Sequence, residues 1–124
     1  MSDELDKNTK RTIYLLMDCY DLLADVAGKF PLAIGLPVSF GDERWSDRSQ
    51  AVERAATVIY EMPGTSIEAR ESFKCACLSW YGASELLASQ SGQPKQIRNE
   101  VARMLILQTE DYIRDTRRIL GIEG

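Results

Sequence analysis

Three groups of side chains have types and spacings that could do chemistry. Asp18, Asp21 and Asp25 recur at i, i+3 and i+7, which sets three carboxylates on one helix face. Calcium and magnesium sites need further oxygen ligands and a turn that gathers them, so this spacing by itself describes a solvated stripe. Cys75-Ala76-Cys77 places two thiols at i, i+2, where helical side chains diverge, so they cannot pair as a disulfide. Nothing in the sequence around Cys19, Cys75 or Cys77 supplies the positive surroundings that make a thiol reactive. Against these groups stands a zero: the 124 residues include no histidine. That removes Ser-His-Asp and Cys-His pairs, imidazole general bases and imidazole metal ligands together.

Glu68-x-x-Glu71 resembles the first half of the magnesium site of the helical nucleotide pyrophosphohydrolases, which are similar in size and helix content. Those enzymes complete the site with Glu-x-x-Asp on the next helix. Here Glu85 is followed three residues later by Ala88, and Glu110 by Ile113, so the second half is missing. Glu68 is better placed to close a capping box with Thr65. No catalytic residue, cofactor or metal ligand is expected, and the chain does not read as an enzyme. A carboxylate- or metal-dependent helical enzyme is the alternative. Lys95, Arg98, Arg103, Arg114, Arg117 and Arg118 decorate one segment, but Glu100, Glu110, Asp111 and Asp115 are interspersed among them. With a net charge of −4, that pattern describes an ion-paired surface, and a nucleic-acid accessory protein is again only an alternative.

The elements that must position these groups follow from periodicity. Apolar residues make up 44% and charged residues 27%, the balance of a globular chain. The expectation is an all-α, four-helix bundle-like single domain over 1–124, with helices at about 9–27, 43–61, 66–89 and 94–119. On a helical wheel the apolar residues of the first helix, from Ile13 to Ala27, span roughly 220°, whereas a surface helix needs little more than 100°. That helix should therefore be central or packed on a second chain. Val52, Ala55, Ala56, Ile59 and Met62 give the second helix its inner face, and Met62-Pro63-Gly64 ends it. Phe73, Ala76, Cys77, Trp80, Ser84 and Leu87 do the same for the third, where Gly82 suggests close approach of a neighbour. For the fourth, Ile97, Val101, Met104, Leu105, Gln108 and Tyr112, continued by Ile119 and Leu120, form the expected inner face, and Gly121 is the expected stop.

Between the first two helices runs KFPLAIGLPVSFGDERW, with two prolines, two glycines and no charge from Phe30 to Phe40. Loops are normally polar because water must satisfy their backbone. This apolar loop is either a lid over the bundle or a contact surface made of Phe30, Leu32, Ile34, Leu36, Val38 and Phe40. Arg44, Trp45 and Arg48 would add the Trp/Arg chemistry favoured at binding hot spots. Ile13, Leu16, Tyr20 and Leu23 on the first helix are the candidate contacts of a homodimer. A pocket for a small apolar ligand lined by Phe73, Trp80 and Tyr81 is a further option, although aromatics at helical spacing usually form core.

The charged start lacks a signal peptide's apolar run, no stretch of about 20 apolar residues exists, and three cysteines make no disulfide framework. The expectation is a reduced cytoplasmic protein away from membranes. In length, charge and helix content it is similar to small bacterial regulators that inhibit transcription factors by contact. That resemblance of class implies a protein-interaction module, a regulatory antagonist or anti-activator, with an unidentified protein partner.

Overall fold

The computed structural model describes residues 2–32, 34–37, 45–89 and 95–122, without the side chains of Ser2, Trp45 and Ser46. Four helices follow in order: α1 (Ser2–Ala27), α2 (Trp45–Val58), α3 (Ile67–Ala88) and α4 (Gln96–Leu120), with a 3-10 turn, Ile59–Glu61, closing α2. The all-α bundle expected from periodicity is the fold found, and the described residues include no strand. None of these helices is long and apolar enough to cross a membrane.

Contacts between distant residues set the directions. Arg103 reaches Thr12, Cys19 reaches Ile106 and Arg117 reaches Asp25, so α1 and α4 run parallel. Arg98 reaches Ser89 and Thr116 reaches Ser72, so α3 is antiparallel to α4, and Ser49 on Ser84 sets α2 antiparallel to α3. Among the described elements only α3 packs on all three other helices. The expectation of a central first helix is thereby corrected: the hub is α3. Its Phe73, Trp80 and Leu87 fill the space toward α1, and the Trp80 indole donates to the Leu16 carbonyl at 3.0 Å. Tyr20 packs on Trp80 with ring centroids 5.3 Å apart.

The α3–α4 seam is built from small residues. Ser72 bonds the Tyr112 carbonyl at 3.1 Å and accepts from Thr116 at 3.0 Å, while Gly82 lies nearest Leu105. Cys75, Ala76, Ser79 and Ala83 share that face at helical spacing. On α4 the buried positions are Asn99, Ala102, Ile106, Thr109, Ile113 and Thr116, a regular alternation of steps of three and four. This corrects the first half of the expected inner face of α4: Ile97 and Met104 are 67% and 59% exposed, whereas Leu105, Tyr112, Ile119 and Leu120 pack against the core. Helices joined through side chains this short approach closely, and the buried side of α4 is then chosen by size rather than by apolarity. Thr109 and Thr116 satisfy their hydroxyls on the carbonyls four residues back, which makes such burial affordable.

The α1–α4 seam is polar at one end. Arg103 donates to Asn8 Oδ1 at 2.6 Å and to Thr12 at 3.0 Å, and Asn99 donates to Thr9 at 3.0 Å. Buried Asn99 and Thr12 are thus both partnered, and the network admits one register of α1 on α4. The helix ends obey local rules with one adjustment. Ser66, not Thr65, caps α3 by accepting from the Ala69 N–H at 3.1 Å, while Thr65 is buried. Gly121 ends α4 at φ 73°, the left-handed conformation that favours glycine.

Gly82 does not owe its presence to lack of space. A methyl added there would meet only the Leu105 side chain, at 3.4 Å. Gly82→Ala should therefore stabilise the fold by about 1 kcal/mol through helix propensity, read as a higher urea midpoint at unchanged slope. A lower midpoint would mean that Leu105 cannot yield.

Candidate protein interface

The apolar loop is turned inward where it is described. Phe30, Ile34 and Leu36 are buried, with Phe30 edge-on to Phe73 at 5.1 Å between ring centroids. The Ile34 N–H donates to the Ala27 carbonyl at 3.0 Å and Tyr20 donates to the Pro37 carbonyl at 2.7 Å, which seats the segment beside α1. As an interface these three residues are corrected: they belong to this chain's own core. Leu32 alone among the described loop candidates faces out, at 61% exposure. Val38, Phe40 and Arg44 lie outside the described residues, as does the side chain of Trp45.

The same correction holds for the first helix. Leu16, Tyr20 and Leu23 are buried against α3, α4 and the lid, and Ile13 is half-buried against the core, so they are not offered to a second chain. Arg48 is also buried, its guanidinium 5.4 Å from the centre of the Tyr20 ring, and its Nε has no hydrogen-bond partner among the described residues. Phe73 and Trp80 are fully buried, so the proposed aromatic pocket reduces to Tyr81. That residue borders an open groove of about 390 Å³ between α2 and α3, with Tyr60, Lys74 and Leu78 on its walls. The Lys74 ammonium is held by the Tyr60 hydroxyl at 2.7 Å, and the charge of Glu85, then burial, then Glu53 push the Tyr81 phenol above its ordinary value.

What the fold leaves outside is a different surface. Ile97, Val101 and Met104 form a stripe on α4 at i, i+4 and i+7, and Leu107 continues it toward α1. On α1, Leu15 and Leu22 are exposed on the flank next to α4. The Arg103–Thr12 and Cys19–Ile106 contacts fix the seam between the helices, so Leu15, Leu22 and Leu107 lie along its outer rim. The two parallel helices therefore make one layer, backed by α3, whose outward face carries six large apolar side chains. Sequence reasoning found the stripe of α4 and assigned it to the core. The available signal was the second stripe, Asn99 to Thr116, whose spacing is regular over more turns although its residues are smaller.

The three carboxylates of α1 are all exposed; Asp25 pairs with Arg117 at 3.0 Å, and Asp111 and Asp115 pair with Arg114 and Arg118 within α4. The described residues contain no cluster of three or more metal-ligating side chains. No protein-family profile, curated protein or solved structure matches the chain.

The cysteines are packing residues with a readable consequence. Burial, then the charge of Glu110, pushes the Cys19 thiol up to about 12, and burial pushes Cys77 up as well. Cys75 is half-buried. At pH 8 a maleimide should label one thiol per native chain and three after unfolding, and Cys75→Ser should abolish the native labelling. Thiols of the unfolded chain ionise near pH 9 while Cys19 and Cys77 stay protonated in the fold, so the unfolded state loses protons first. Stability should then fall above pH 9, by about 1.4 kcal/mol per pH unit for each thiol, and a Cys19→Ala, Cys77→Ala variant should lose that slope in pH-resolved urea melts.

Proposed function

We propose that the chain is a helical protein-interaction module that acts by contact, a regulatory antagonist whose working surface is the outer layer of α1 and α4. The observation that carries this reading is the orientation of α4. Its large apolar side chains, Ile97, Met104 and Leu107, point to solvent while Asn99, Thr109 and Thr116 are buried. Single exposed apolar residues are ordinary on a protein surface, but a contiguous stripe across two helices is the usual mark of an interface. Acidic and basic residues border the stripe, the arrangement of an apolar centre with a polar rim. An anti-activator of a transcription factor is the role this build suits best: an acidic chain engages a protein surface without competing for nucleic acid.

The test is capture from a lysate of the native host with tagged wild type beside a Met104→Glu, Leu107→Glu variant. Both positions are exposed, so the helical spectrum should not change. A single protein retained in near-stoichiometric amount by the wild type, and reduced at least tenfold with the variant, is the expected result; equal retention by both would remove this face from the function.

A further inference from the structure

The outer stripe of α1 is segregated by charge along its length. Lys7, Arg11, Tyr14, Asp18, Asp21 and Asp25 follow steps of four, three, four, three and four, and all six are exposed. The basic pair occupies the first half and the three acids the second. Lys7, Arg11, Asp18 and Asp21 have no ion-pair partner among the described residues. Such a stripe is complementary to itself when reversed: laid antiparallel on a second copy, Lys7 meets Asp25, Arg11 meets Asp21 and Tyr14 meets Asp18, each pair occurring twice. In a parallel pairing each residue would meet its own like charge. Asp3 and Glu4 would fall beyond this overlap, opposite positions past the end of α1 at Ala27.

We infer that the outer α1/α4 layer is occupied by a second copy of this chain, packed antiparallel across a two-fold axis near the level of residue 16. This rests on the same face as the proposed function and names an occupant for it. The parallel pairing of α1 with α4 puts the level of residue 16 between the Thr12–Arg103 and Cys19–Ile106 contacts, so the axis passes beside Met104. One rotation therefore sets Met104 on its own copy and Val101 on Leu107 between the two α4 helices, brings Ile97 to the level of the Asp111–Arg114 ion pair, and apposes the charged stripes of the two α1 helices. With Tyr14 added to the six apolar residues, exposures run from 36% to 67%. Side chains of this kind offer on the order of 100 Å² each when fully exposed, so the layer presents roughly 400 Å² of apolar surface. That is close to the apolar share of one side of a standard interface, about 450 Å² of ~800 Å². The arrangement is isologous and closes at two copies.

The experiment is sedimentation velocity on the full chain over about 1–100 μM, with circular dichroism confirming each variant's fold. The wild type should sediment as a dimer, and Met104→Glu should weaken association at least tenfold. Arg11→Glu and Asp21→Arg should each weaken it about tenfold, because each reversal creates two repulsive pairs. Both changes in one chain should restore affinity to within about threefold of wild type, an outcome available only to an antiparallel pairing. A wild type that is monomeric throughout, a larger closed ring, or a double variant no tighter than the weaker single one would overturn the inference. A monomer that still loses its captured partner with Met104→Glu, Leu107→Glu would leave the antagonist reading standing; a dimer that captures nothing would sink that reading and leave this one.

Discussion

The close seam between α3 and α4 is the constraint on which the other features depend. Ser72, Ala76, Gly82 and Ala83 line one side and Ala102, Thr109 and Thr116 are buried on the other, with Ser72 bonded to Thr116 and Leu105 lying against Gly82. Once α4 is held by its small residues, its rotation about its own axis is fixed, and Ile97, Val101 and Met104 must point away. Rotating α4 to bury them would carry Asn99 away from Thr9 and Thr116 away from Ser72. Interiors packed at crystal-like density do not absorb such a change. The exposed stripe is thus the other side of a well-made seam.

The remaining contacts reinforce that choice. The bonds of Arg103 to Asn8 and Thr12 and of Asn99 to Thr9 sit at one end of the α1–α4 pair and the Asp25–Arg117 ion pair at the other, so a sliding of one helix along its partner breaks both. Burial of polar groups without partners costs more than the bonds contribute, so the network selects a register more than it adds stability. Cys19 and Cys77 fit the same logic: they are small, apolar in effect and held neutral by their surroundings.

The class of fold was legible in the sequence, and so were the inner faces of α2 and α3, because Val52–Met62 and Phe73–Leu87 combine the right spacing with the right size. The absence of histidine made an imidazole-based site untenable at once. Two of the corrections have a plain physical reason. The loop looked like a surface because charge was missing from it, yet a stiff apolar segment serves equally as a lid, and Phe30 on Phe73 is decided by tertiary geometry alone. The face of α4 was assigned by hydropathy, which weighs Ile97 and Met104 above Thr109 and Thr116. Nothing local shows that the partner helix presents only small residues, so the spacing of the weaker stripe carried information that its composition concealed.

The chain encloses part of its apolar surface on the α2 side of α3, where Leu32, Val58, Tyr60 and Leu78 nonetheless stay exposed. Toward α2 the chain spends a whole segment to enclose Phe30, Ile34 and Leu36, and even the Arg48 guanidinium is drawn over Tyr20. Toward solvent, beyond α1 and α4, comparable side chains stand uncovered although α1 carries ample charge to flank them. Ile97, Met104 and Leu107 are more than half exposed, so the fold itself could accommodate polar residues at these positions. On the proposed reading, a contact outside the chain accounts for the apolar side chains there. On the same reading the run of charge from Lys7 to Asp25, basic then acidic and preceded by Asp3 and Glu4, would give that contact a direction as well as a place.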